Sequence, residues 1–295
     1  MTVDASPDPR AHLSFWGVLA SERIKFLSLR STYWVLGVFI FVTTGVNALI
    51  YVAMKSADGV SGLDLSVLLA DLHLTQLMNS GVVIFGKLII AILGVLMVTN
   101  EYSSGMIRST LTAAPRRVGV IAGKCVVLIA AAVATGSLAA AFSYLIGLAM
   151  FSDTPLDVSL FQGQNLRIVL GLQLYVATLA VLGCLIGLLI RSTAASIATI
   201  VCLTFVLPTV AETVSGFLSI SGSGEGGWRR VLLGAFECLP TTAGDHLFDW
   251  VGEVGDSAQS SAVLGLGPWT GYGVLCLWVL AFAIPAFLRL LRRDV

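Results

Sequence analysis

Six apolar stretches, each near or beyond the ~20 residues that carry a helix across a bilayer core, constrain this chain more than any other feature. They run Thr32–Met54, Met78–Thr99, Val118–Phe151, Ile168–Ile190, Thr193–Ala211 and Pro268–Leu291. In hydrocarbon every backbone N–H and C=O must be satisfied inside the protein, so only helices and closed barrels span a membrane. Continuous apolar runs of this length specify helices. The composition agrees: 57% of residues are hydrophobic and 12% charged, about half the charged share of an ordinary soluble chain. The fold class is therefore all-α, a polytopic membrane protein of six transmembrane helices. So many spans in 295 residues leave little room for a soluble domain. Residues 11–295 read as a single transmembrane domain behind a disordered tail over residues 1–10.

A net charge of zero conceals an asymmetry. Arg10, Arg23, Lys25 and Arg30 precede the first span; Arg108, Arg116, Arg117 and Lys124 follow the second. Arg191 sits between spans four and five, and Arg289, Arg292 and Arg293 end the chain. With six spans these all fall on one side. The other side holds Lys55, Arg167, Arg229 and Arg230 among acids such as Asp58, Asp71, Asp153 and Asp249. Basic residues stay on the cytoplasmic side, so both termini are expected there, in a multi-pass protein of the cell membrane. No short apolar segment with a small-residue cleavage site marks a secretory signal. Only Cys238 of the five cysteines lies outside the spans, so no internal disulfide framework is expected.

Leu13, Trp16, Ala20, Ile24 and Leu27 recur at helical spacing before the first span. They predict an amphipathic helix over Ala11–Ser31, lying on the membrane surface or packing on a soluble partner. Between spans five and six, Trp228–Leu239 and Thr241–Val251 predict short interfacial helices, flanked by flexible stretches at Ser221–Gly227 and Gly252–Ser261. Asn47, Gln173 and Tyr175 within spans are expected to form interhelical hydrogen bonds. Gly183 and Gly187 form a small-xxx-small face for close helix packing. Pro208 is expected to kink span five.

One motif is a decoy. Gly81-Val-Val-Ile-Phe-Gly-Lys87 matches seven positions of a phosphate-binding loop, but Leu88 stands where a hydroxyl must meet magnesium. The segment also lies inside a span. This chain is therefore expected to bind no nucleotide and to carry no enzymatic activity of its own. The informative polar stretch is Glu101–Arg117, directly after span two. Ser103 or Ser104 can cap a short helix that Pro115 ends. Met106, Ile107 and Leu111, with Arg108 beside them, give that helix an edge for a soluble partner. The same residues equally suit an interfacial helix with its bases on lipid headgroups.

Three places together resemble the membrane subunit of ABC-2 type transporters, the exporter permease family, especially its actinobacterial single-domain form. The first is Ser21-Glu-Arg-Ile-Lys25 ahead of Arg30-Ser-Thr-Tyr-Trp34. The second is Glu101-Tyr-Ser-Ser-Gly105 running into Pro115-Arg-Arg117 and Lys124. The third is Cys238-Leu-Pro-Thr-Thr-Ala-Gly244, then Gly267-Pro-Trp-Thr-Gly271 and Leu291-Arg-Arg-Asp-Val295. The resemblance implies a permease paired with a second copy, most simply as a homodimer, each copy clamped to a cytoplasmic ABC ATPase that binds the ATP and magnesium. No cofactor is expected on this chain, and no nucleic-acid partner. It implies that Trp16, Glu22, Arg23 and Lys25 belong to a connecting helix. It implies that Glu101, Gly105, Met106, Ile107, Arg108, Leu111, Pro115, Arg116 and Arg117 form the ATPase-coupling region. Spans two and five would line a central cavity, with Phe85, Lys87, Phe205, Pro208 and Glu212 as candidate lining residues.

Lys87 departs from the family pattern. A lysine at mid-bilayer costs ~2.5–3.5 kcal/mol, and Lys87 lies roughly 13 Å along its helix from Met78 at 1.5 Å per residue. Either it faces the cavity with Glu212 as counter-charge, or span two starts later and Lys87 snorkels outward. The expected function is the permease of an ATP-driven exporter of amphipathic cargo such as a drug, antibiotic, peptide or lipid. The alternative is a membrane scaffold or sensor that docks an ATPase without moving cargo. An intramembrane hydrolase has no support, since His12, His73 and His246 all lie outside the spans.

Overall fold

A computed structural model describes residues 15–57, 77–106, 117–152, 163–220, 227–248 and 264–292. Among them there is no strand, and six helices are long and apolar enough to cross a membrane. Helix α1 (Phe15–Ser28) breaks at Leu29 before α2 (Arg30–Ala57), the first span. Span two opens as a π-helical segment, π1 (Val82–Gly86), and continues as α3 (Lys87–Ser103). Helices α4 (Arg117–Met150) and α5 (Gly163–Ile190) are spans three and four. Span five joins α6 (Thr193–Val201), π2 (Cys202–Val206) and α7 (Leu207–Ile220), running past the expected end at Ala211. Two short helices, α8 (Gly227–Glu237) and α9 (Pro240–Asp245), and a 3-10 turn at His246–Phe248 precede α10 (Pro268–Arg292), the sixth span. The tail expected over Met1–Arg10 lies outside the described residues, as do the stretches expected to be flexible around 221–226 and 252–261.

Spans two and four form the core. Their apolar windows are 56% and 67% buried, against 22% and 17% for spans one and six. Lipid tails are as apolar as leucine, so helices gain little by hiding apolar area from them and associate through close packing instead. Glycines provide that closeness. A Cβ on Gly94 would overlap the Ala180 carbonyl, and one on Gly183 the Ala91 carbonyl; at Gly187 it would stand 3.1 Å from Val95 O. The expected Gly183–Gly187 face is thus the seam between α5 and α3. Ile90, Leu93 and Val95 meet Leu179, Leu182 and Ile186 in one buried cluster around it. Gly183→Val would push its methyl groups into backbone that cannot yield. The expected loss is ~1–3 kcal/mol, read as a lower unfolding temperature in detergent; an unchanged temperature would place these two helices further apart.

The decoy loop has a packing explanation. Gly81 and Gly86 face α2, where a Cβ on the first would overlap the Thr43 carbonyl and one on the second would stand 2.7 Å from Thr43 Cγ2. Asn47 of α2 then stitches three spans. Its Nδ2 donates to Met78 O at 2.7 Å and to Ser143 Oγ at 2.8 Å, and its Oδ1 accepts from Gly81 N at 2.6 Å. Free N–H groups at a helix start need such acceptors, and lipid offers none. Asn47 therefore bonds as expected. Gln173 Oε1 is buried with no partner among the described residues, and Tyr175 uses its ring, edge-on to Phe248 at 5.3 Å. Before Pro208 the helix widens: the Leu207 N–H reaches Cys202 O, five residues back. A wide turn is a usual accommodation where proline removes a donor from a membrane helix.

Candidate functional site

The end of the bundle that carries α1, here the near end, holds two carboxylates and two ammonium groups drawn from three elements. Glu22 lies on α1, Glu101 in the last turn of α3 and Lys124 in the third turn of α4. Lys124 Nζ donates to Glu101 Oε1 at 2.5 Å and to Glu22 Oε2 at 2.6 Å. Lys25 Nζ donates to Glu22 Oε1 at 2.9 Å and lies 3.6 Å from Glu101 Oε1. Glu22, Glu101 and Lys124 are only 1%, 6% and 4% exposed, so none is relieved by bulk water. Buried charges persist only when paired and hydrogen-bonded, and here the signs cancel within one cluster. Burial works against the Lys25 ammonium. Its hydrogen bond to Glu22 and the charges of Glu101 and Glu22 outweigh it, and hold its pKa above the ordinary value of 10.5. Lys25 is thus cationic throughout the neutral range.

This pairing explains how α1 sits. Glu22 and Phe26 form its buried side, and a Cβ on Gly123 would stand 3.3 Å from Val18 Cγ1, so α1 lies close along α4. The stripe of Trp16, Ile24 and Leu27 points away, and Trp16 is 75% exposed. The apolar face read from the sequence is therefore the outer one, and the bundle grips the helix by a charge.

Around the cluster the helix ends are closed with care. Gly105 takes φ +71°, and its N–H bonds Tyr102 O while the Ser104 N–H bonds Asn100 O. That is a left-handed helix stop suited to glycine, and it turns the chain out of span two. Arg191 also has a positive φ, 62°, rare for a side chain of this size. Its N–H closes on Gly187 O at 2.9 Å and its guanidinium sits 5.4 Å over the Tyr102 ring, a cation–π contact. Arg289 Nη1 donates to Leu189 O at 2.6 Å. These basic residues cap the last carbonyls of span four, where the helix dipole favours positive charge.

At the opposite, far end, Lys87 corrects an expectation. Its Nζ donates to Asp245 Oδ2 at 3.2 Å, and it is 6% exposed within the subunit. Glu212 is exposed on α7 and has no ion pair with Lys87. The reason is the seating of α9, which packs on π2 and α10. Gly244 lies against the Tyr175 ring, where a Cβ would stand 2.6 Å from Cε2, and a Cβ on Gly271 would overlap the Ala243 carbonyl. That close seating brings Asp245 down to the lysine. Trp278 Nε1 donates to Cys238 O at 2.8 Å, fixing the start of the same segment.

The remaining candidates divide. Phe85 and Phe205 lie in the two π segments and are exposed, with Met106 exposed at the near end. Pro208 is buried in α7, and Arg23 is exposed on α1. Arg117 opens α4, while Ile107, Arg108, Leu111, Pro115 and Arg116 lie outside the described residues. Of the expected connecting and coupling residues, the structure brings Glu22, Lys25 and Glu101 together. Lys124 and Asp245 complete the two charge clusters and were not among the candidate site residues. Lys124 carried a signal, as a lone charge in an otherwise apolar run, whereas Asp245 sits among Thr241, Thr242, His246 and Asp249 and does not stand out.

These features define a class, a multi-pass helical membrane protein with a charge-locked helical joint at one end. The sequence profile described as ABC-2 family transporter protein matches residues 18–295, so the chain belongs to the ABC-2 transporter family. No curated protein matches it. Membership implies partnership with an ABC ATPase in general.

Proposed function

We propose that this chain is the permease subunit of an ATP-driven exporter, with its near end in the cytoplasm. The near-end ion cluster is the observation that carries the reading. It fastens α1 to the end of α3 and the start of α4, on either side of the basic segment 107–117, so a push on that segment moves a joint held at both ends. In this reading Glu101–Arg117 receives force from a separate ATPase, which binds ATP and magnesium. The ATPase closes, two permease copies rock, and the cavity between them changes its opening. Phe85 and Phe205 are exposed on the subunit, as lining residues of a cavity between copies must be. Aromatic and aliphatic walls suit amphipathic cargo.

In vesicles reconstituted with the ATPase, candidate amphipathic cargo is expected to raise ATP hydrolysis. Arg108→Glu should abolish that stimulation while the protein still inserts and folds. Full stimulation in the variant removes the docking role of this segment. Docking without any cargo response across the panel makes the chain a scaffold.

A further inference from the structure

A cavity of about 300 Å³ opens beside the near-end cluster, between α1, the start of α2 and the last turns of α3. Phe26, Val35, Leu93, Leu96 and Met97 form its apolar wall, and Glu101 lines it at the polar margin. The volume is at the lower bound of small-molecule sites, which pair apolar walls with a few placed polar groups. Glu101 supplies the unusual feature. Its Oε1 is occupied by Lys124 and Lys25, yet its Oε2 accepts no hydrogen bond among the described residues. A buried acceptor left unmet is costly, and the residue is 6% exposed, so water does not readily meet the need.

We infer that this cavity binds a neutral amphipathic molecule bearing a hydroxyl or amide N–H donor, with its apolar body on the α2–α3 wall and its donor on Glu101. The charge follows from the neighbours. A cationic head would meet the ammonium groups of Lys25 and Lys124, and an anionic head the carboxylates of Glu22 and Glu101, whereas a neutral donor disturbs neither pairing. Oε2 has almost no accessible surface of its own beside the empty cavity, so the donor reaches it through a small turn of the carboxylate that shifts Oε1 as well, and the flexible Lys124 and Lys25 side chains follow. Membrane monoacylglycerols and soluble hydroxylated amphipaths share this chemistry. The inference stands apart from the transport reading, because it concerns binding whether or not the occupant is carried.

The test uses the full chain in nanodiscs with three short photoreactive probes sharing one hexyl diazirine body: a monoacylglycerol, an amine and a carboxylate. Labelled peptides are read by mass spectrometry. The expected result is saturable labelling of 93–97 by the glycerol probe, about tenfold above the peptide around Leu138, which is exposed on span three away from the cavity, with little from the charged probes. Leu96→Trp, and independently Val35→Phe from the facing helix, should lower it about tenfold and leave the Leu138 signal unchanged. Competition by monoolein supplied in the bilayer assigns the site to a lipid. Competition only by short glycerides added from solution assigns it to a soluble ligand; both support the site. Labelling equal to the Leu138 background, equal among the three heads, or unchanged in both filled variants overturns it and leaves a hydrated crevice.

Discussion

Lys124→Met is expected to lower the stability of the bundle by ~3–5 kcal/mol, the usual cost of removing one partner from a buried ion cluster. The loss is greater than for a surface pair because two carboxylates depend on this ammonium. Glu22 and Glu101 are almost fully buried, and without Lys124 they retain only Lys25, which sits at the edge with 30% of its side chain exposed. Their repulsion would drive α1 off α4 or force one carboxyl to take a proton. Thermal unfolding in detergent reads the effect, and proteolysis around Arg23 reports release of α1. The triple change Glu22→Leu, Glu101→Leu, Lys124→Met should recover much of the stability, because apolar replacement of a whole buried cluster is often neutral or favourable. Under the transport reading that stable variant still fails to couple ATP hydrolysis. A Lys124→Met protein as stable as the parent would mean that water reaches the cluster.

The second large effect belongs to the far end and is asymmetric. Asp245→Leu leaves Lys87 uncompensated inside a span, at a cost of ~2.5–3.5 kcal/mol, limited by the option of losing its proton. Lys87→Met leaves the carboxylate instead, and the Asp245 side chain is 25% exposed, so hydration softens the loss. Asp245→Leu is therefore expected to unfold at the lower temperature of the two. The double variant should lie above Asp245→Leu alone, since it removes both charges. Equal losses in the two single variants would show that Asp245 is as dry as Lys87.

Span number, span order and the small-residue seam were legible because each is a local property. An apolar run needs no partner to declare itself, and Gly183 and Gly187 sit one turn apart on a single helix. The Lys87 partner was not legible, for two physical reasons. The residues stand 158 positions apart, and only the folded position of α9 brings them together. The π1 turn also inserts the equivalent of one residue, which rotates every following side chain by about 100° relative to a regular helix. A helical wheel drawn through Phe85 and Lys87 therefore misplaces the lysine. On α1 the periodic apolar stripe was read correctly, but the inward face is set by Glu22, whose purpose is visible only beside Lys124. Of the family-like segments, Gly244 and Gly271 proved to be contact glycines, a packing reason for motifs that had carried only likeness.

Force transfer requires the segment after span two to meet a separate ATPase. A photoreactive amino acid at position 108, in membranes containing this chain together with its ATPase, tests that contact directly. A covalent adduct between the two subunits, lost when the ATPase is omitted, is the predicted result. Adducts to lipid alone, with the ATPase present and assembled, would contradict it.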